Sequence, residues 1–381
     1  MTFQSENLNE TTFYDAALIV SYGGPEKEDE VLPFIQNVLH GRKLAAEQLE
    51  NVVKKYRQIG NHSPVNEECR ALISGLLRNQ NDENIILGLP NDSALHNVFT
   101  RVKQLPIYWG NLFWRPALDE TIAEMINEGI RRIFAFCTVP FETAHRKRAY
   151  LQTLDVTAQN AAKNAKIPID DICIHTARRF YNHPLYISAV ADRLTETFAM
   201  QMDWKDKIPP RDDASLILRR LIENEQDNAM VIFTAHSLTL ADAEAPQSEL
   251  PYEQQFRQAS ALVAETLRLK QFGIEWDVAY QSRSVKQGSW SEPDVGEFVK
   301  TLPERFPNRK NLYFCPIGFM LENTELLYDL DMEIRRLCES LGLQYARTLP
   351  VGGSDKAIAM IRELIAEKFS PLVPRRLLGN F

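Results

Sequence analysis

The sequence predicts an α/β protein: two similar Rossmann-like domains, parallel sheets flanked by helices, with an active-site cleft between them. Three observations predict it. Short apolar runs alternate with helix-length amphipathic segments along most of the chain, the rhythm of β–α–β units. The strand-like runs are almost continuously apolar, as strands buried on both faces are. A length of 381 residues corresponds to about two domains, and the chain reads as two βαβ-rich halves of similar size.

Taken in order, the strands are AALIVSY (16–22), PIYWG (106–110), RIFAFCTV (132–139), DICIHT (171–176), MVIFTAH (230–236), WDVAYQS (276–282) and NLYFCPIG (311–318). Each is short and rich in β-branched or aromatic residues, which suit a buried pleated surface. Helical patterns lie between them, near 29–40, 45–58, 66–79, 117–128, 143–163, 184–202, 253–270, 294–303, 322–341 and 354–368. The glycines of VGGSDKA (351–357) make a turn before a helix capped by Ser354, not a phosphate loop. Two stretches break the rhythm and read as surface excursions: 80–104, rich in Asn and Asp, and 204–228, with Pro209 and Pro210. KNAKIPID (163–170) is the best candidate for a boundary. The expected domains are therefore 12–165, with the helix at 354–370 a candidate to complete it, and 166–350.

Composition excludes several classes. Apolar content of 44% and charged content of 25% are those of an ordinary globular protein. A net charge of −8 with no long basic run disfavours nucleic acid as a partner. The N-terminus lacks the basic and apolar regions of a secretory signal, and no run of about 18 apolar residues offers a membrane span. Five scattered cysteines without a C-x-x-C pair suggest reduced thiols, and so a cytoplasmic protein; Cys137 and Cys315 sit in apolar strands as core residues.

Two segments carry chemistry. PIGFMLENTELLYDLDME (316–333) joins a strand end to a helix bearing Glu325, Asp329 and Glu333. Four-residue spacing on an α-helix advances each side chain about 40°, so the three carboxylates are expected along one face. Like charges in such a row repel, and a row of this kind can pass protons or hold a hydrated cation. It can equally be a solvated face. VIFTAHSL (231–238) delivers His236 at the carboxyl end of a strand, where open α/β sheets bind ligands. Taken alone, His236 also fits a core histidine, Glu325 a first-turn carboxylate facing the helix dipole, and Tyr22 a buried aromatic.

Six segments in order resemble the ferrochelatase family over roughly 16–370: SYGGP (21–25), IGNHSPVN (59–66), IYWGN with Pro116, FTAHSL (233–238), YQSR (280–283) with Trp290 and EPD (292–294), and PIGFMLENTELLYDLD (316–331). The resemblance implies insertion of ferrous iron into coproporphyrin III or protoporphyrin IX during heme synthesis. It implies His236 and Glu325 as the catalytic pair, accepting pyrrole protons or handling the metal. Asp329 and Glu333 match the acidic row behind them, and Tyr22 matches the residue that approaches the metal from the opposite face in coproporphyrin-type members. Arg42 and Ser63 match positions near the propionates, and Asn323 lies among the substrate contacts. Iron enters as substrate. No tightly bound cofactor is expected, and no iron–sulfur cluster, since no cysteine follows Cys338. Beyond porphyrin and iron, the expected partners are transient ones, the preceding or following heme-pathway enzymes.

The sequence departs from the family in places. Asn323 stands where histidine is usual, Leu112 where a basic residue is usual, and Thr239 replaces a proline; the loop FETAHRKR (141–148) is also altered. Asn323, Leu112 and the altered 141–148 loop motivate an alternative, a non-catalytic porphyrin- or heme-binding paralogue. The polar segment EKEDEVLP (26–33) lacks the apolar lip of membrane-docked relatives and favours the coproporphyrin-type branch.

Overall fold

The continuously apolar strands pair in parallel, as their helix-length connections require. In the computed structural model, which describes residues 13–41, 44–78, 93–201, 214–225, 228–245, 249–283 and 289–379, they form two four-stranded sheets. The first contains β1 (Ala16–Ser21), β2 (Ile107–Asn111), β3 (Arg132–Cys137) and β4 (Cys173–Thr176), in the order β2-β1-β3-β4. The second contains β5 (Ala229–His236), β6 (Glu275–Gln281), β7 (Asn311–Cys315) and β8 (Gln344–Arg347), in the order β6-β5-β7-β8. Every pairing is parallel. The two sheets thus share one topology. In each, the chain leaves the first strand toward one edge and the third strand toward the other. The crevice between β1 and β3, and that between β5 and β7, are the topological switch points.

The chain divides into two compact units. One holds residues up to Thr138, Arg146–Arg179 and Gly353–Arg376; the other holds Val139–His145, Phe180–Gly352 and the residues from Leu377.

In the first unit the sheet is flanked by α1 (Glu28–Leu39), α2 (Ala46–Gln58), α3 (Val65–Arg78), α4 (Ser93–Gln104) and α5 (Leu118–Asn127). The chain re-enters this unit at Arg146, the last residue of α6 (Ala144–Arg146), and runs through a π-helical stretch, Lys147–Leu151, into α7 (Gln152–Ala165). The last helix of the first unit, Asp355–Phe369, starts at Ser354, whose hydroxyl caps Ala357 N–H. It packs on α3, where Gly75 leaves room: a Cβ there would lie 2.3 Å from Ile358 Cδ1.

The second unit has α8 (Pro184–Gln201), α9 (Ala214–Glu225), α10 (Leu240–Ala243), α11 (Tyr252–Thr266) and α12 (Val295–Arg305). After β7 come a π-helix, Leu326–Ile334, and α13 (Arg335–Ser340); in chain order Asp355–Phe369 is α14. Leu326, Leu330 and Ile334 bury against Met230, Ile232 and Phe314 of the sheet and Val299 and Leu302 of α12. That packing holds the π-helix on the sheet and turns Glu325 away from the core.

Two expectations are corrected. The 80–104 stretch is not all surface excursion: residues 93–104 form α4, with Leu95, Phe99 and Val102 buried at helical spacing. Within 204–228, residues 214–225 form α9, with Ile217 and Leu218 buried. The remainder of both stretches up to 227 lies outside the described residues. Strand β8 was not expected; its sequence, QYAR, is short and of mixed polarity, and it closes one edge of its sheet.

Candidate active site

β5 has seven buried residues in a row and then His236, whose side chain is 38% exposed. The loop leaving β7 presses against this strand end. Gly318 N–H bonds Thr234 O at 3.1 Å, and a Cβ on Gly318 would lie 2.6 Å from Ala235 Cβ, so only glycine fits. Tyr252 hydroxyl donates to His236 O at 2.8 Å from α11. The backbone of His236 is therefore fixed from two sides.

The imidazole is held between two acceptors. Nδ1 lies 2.6 Å from Ser237 O and Nε2 lies 3.2 Å from Glu325 Oε1. A carbonyl and a carboxylate both require N–H donors, so this geometry suits the doubly protonated ring. Burial alone lowers the histidine pKa. The Glu325 charge and hydrogen bond, the Ser237 carbonyl and the Asp329 charge outweigh it and push the pKa up from 6.5 to about 9. Glu325 is 43% exposed, so the pair is partly screened by solvent.

Asn323 has a local structural role. Its Oδ1 accepts from Glu325 N–H at 2.9 Å and Leu326 N–H at 3.2 Å, and its Nδ2 donates to Leu321 O. That is an N-cap, and it fixes the backbone of Glu325 directly. Glu325, Asp329 and Glu333 follow, but the turn is widened: Arg335 N–H reaches Leu330 O five residues back. The row is thus not the α-helical stripe expected from spacing. Asp329 is buried and accepts from Ser282 Oγ at 2.5 Å, while Glu333 is exposed. Among the described residues no three His, Cys, Asp or Glu side chains group closely enough to hold a metal ion. His236 and Glu325 form a two-member set.

The first unit places its candidates at the equivalent strand end. Tyr22 follows β1, 37% exposed, with its ring 4.5 Å from Phe113. Ser63 is buried against the loop after β1, where its N–H donates to Pro25 O at 2.7 Å. Gly24 sits so near that a Cβ would fall 2.6 Å from Ser63 Cβ. Arg42 lies outside the described residues. Leu112 is half-buried; in the altered loop Arg146 is buried and donates to Ala177 O, while Lys147 and Arg148 are exposed.

Sequence reasoning missed Gly318, Tyr252 and Ser282. Gly318 lies in PIGF and Ser282 in YQSR, but neither motif shows which atom a side chain touches, and Tyr252 lies in no motif.

The chain is similar to known proteins over nearly its whole length. A ferrochelatase family profile matches residues 14–369. A protein named coproporphyrin III ferrochelatase from Frankia alni is 33% identical over 371 residues, covering 96% of this chain and 83% of that one. A protein named ferrochelatase from Rhodopirellula baltica is 30% identical over 374 residues, covering 98% of this chain and 91% of that one. Among solved structures, SirB from Bacillus subtilis with Fe3+ matches with TM-score 0.50 and 11% identity, over 96% of this chain and all of that one; it speaks to the fold alone.

Proposed function

The chain belongs to the ferrochelatase family, the enzymes that insert ferrous iron into a porphyrin in heme synthesis, and we propose that its porphyrin is coproporphyrin III and that His236 and Glu325 manage the protons of insertion. The carrying observation is the His236–Glu325 contact of 3.2 Å at the switch point between β5 and β7. Metallation releases two pyrrole protons per porphyrin. At neutral pH the imidazole already holds a proton, because its pKa lies at about 9. That proton leaves before the ring accepts one from a pyrrole, so turnover climbs as pH rises toward 9. Buried Asp329 and exposed Glu333 continue the path outward from the pair. Incoming iron accepts both imidazole and carboxylate ligands, so the same two side chains hold it in transit.

The substrate assignment draws on the Frankia alni relative, on Tyr22 at the end of β1, and on the acidic, exposed start of α1, where Glu28 and Asp29 lie open to solvent. Of the departures behind the non-catalytic alternative, Asn323 caps a helix and supports Glu325, so that change does not weaken the proton-handling pair. The reading requires no resident cofactor and no iron–sulfur cluster. Cys69, Cys315 and Cys338 are buried, and burial pushes each thiol up to about 12. It assigns the enzyme to the cytoplasm, in keeping with five cysteines none of which is in a disulfide; no described helix is long and apolar enough to cross a membrane.

The test is anaerobic iron insertion into coproporphyrin III and protoporphyrin IX, followed by absorbance. Coproporphyrin is expected to have the higher kcat/KM by about tenfold or more, the scale set by the roughly 1–3 kcal/mol that a buried polar group costs when left unsatisfied. A preference for protoporphyrin overturns the substrate assignment; binding of both without turnover overturns the reaction.

A further inference from the structure

We propose that Arg347 is the positioning residue for Glu325, a clamp that grips the chain on both sides of the carboxylate. Arg347 is the last residue of β8, in register with Phe314 near the end of β7. Its Nη1 donates to Glu322 Oε2 at 3.0 Å, three residues before Glu325. Its Nε donates to Asp331 Oδ1 at 3.0 Å and its Nη2 to Asp331 Oδ2 at 2.5 Å, six residues after Glu325. A further bond from Nη1 to Thr348 O at 3.2 Å fixes the guanidinium itself. Asp331 is also bound by Tyr345 hydroxyl at 2.9 Å and faced by Arg335 at 3.6 Å. The Arg347 side chain is only 6% exposed.

The geometry has one consequence for Glu325. The π-helix is a widened turn, entered from the irregular stretch 321–323. Core packing of Leu326, Leu330 and Ile334 and the Asn323 cap hold the start of the helix. Arg347 adds the tie between the loop at Glu322 and the turn at Asp331, and without it the two would shift relative to each other and move Glu325 off His236. A planar fork with two carboxylate partners is what arginine supplies and lysine does not. Arg347 touches neither porphyrin nor iron in this scheme; it acts through Glu325. The inference rests on the reading that Glu325 takes part in insertion.

The experiment compares Arg347→Met, Arg347→Lys and a control, Arg178→Met, in the full chain. Arg178 makes a similarly buried bidentate pair with Glu367, 2.8 Å on both arms, in the other unit. Arg347→Met is expected to lower kcat for iron insertion by about tenfold to a hundredfold, the cost of misplacing a reacting group by an ångström. The porphyrin KM should stay within about twofold, as for loss of an interaction made only in the transition state. Arg347→Lys keeps the cation without the fork and should fall between Arg347→Met and the parent. Arg178→Met should lose comparable thermal stability with kcat intact. Wild-type kcat in Arg347→Met, a KM that rises in step with the loss, or an equal kcat loss in Arg178→Met overturns the proposal. If Arg347→Met does not fold, Arg347→Lys decides: reduced kcat at unchanged KM supports the clamp, and wild-type kcat refutes it. Glu325→Gln separates the two levels. Full turnover in that variant removes the premise, whereas an inactive Glu325→Gln beside fully active Arg347 variants removes the clamp alone.

Discussion

Replacing Glu325 by Gln keeps the shape of the side chain and removes its charge. In the parent, burial works against the His236 imidazolium, while the Glu325 charge and its 3.2 Å contact are the foremost contributions in its favour; Ser237 O and Asp329 add less. Without Glu325 the burial cost is no longer outweighed, and the titration midpoint should fall from about 9 to the neighbourhood of 6.5 or below. Both side chains are more than a third exposed, so the parent midpoint should also move down in high salt. The assay is an NMR titration of ring-labelled histidine, with His236→Gln identifying the signal among seven histidines. Stability follows with a definite sign. The folded midpoint lies above the reference value of 6.5. The pairing therefore contributes fully below pH 6.5, and the contribution is lost as pH rises through about 9. The parent should lose thermal stability across that window more steeply than Glu325→Gln. A His236 signal that titrates at the same pH in both proteins would refute the reasoning.

Three further outcomes follow from named contacts. Gly318→Ala drives a methyl to 2.6 Å from Ala235 Cβ; overpacking of this kind costs about 1–3 kcal/mol, so calorimetry should show a Tm several degrees lower, and kcat should fall because β5 carries His236. Asn323→Ala removes the cap at Glu325 and Leu326 and should cost about 1 kcal/mol in denaturant unfolding, with Asn323→His changing turnover only modestly. Tyr22→Phe keeps the ring packing on Phe113 and loses the hydroxyl; the absorption spectrum of the iron–porphyrin product complex and its release rate should change more than the insertion rate, and an unchanged spectrum counts against Tyr22 as an iron ligand.

Much of the fold was legible because buried parallel strands announce themselves: β1, β3 and β5 are near-unbroken apolar runs. β8 escaped because an edge strand of four residues, QYAR, carries too little apolar pattern to stand out. α4 and α9 were hidden by the Asn-rich and Pro-rich stretches before them, although Leu95, Phe99 and Val102 keep a helical period. His236 and Glu325 were legible from motif and strand-end placement. Their protonation state was not, because it depends on Ser237 O lying 2.6 Å from Nδ1. Spacing also misled: a four-residue step was read on an α-helix, and the chain uses a π-helix there. Arg347 gave no sign in sequence, since its partners at 322 and 331 are joined to it only by the pairing of β7 with β8.

Proton removal by His236 is read out by iron insertion in His236→Ala, measured anaerobically beside porphyrin binding by fluorescence quenching. Loss of the positioned imidazole should lower kcat by about a hundredfold or more, with porphyrin affinity close to that of the parent. Near-parental turnover in His236→Ala would mean that His236 does not take the pyrrole protons.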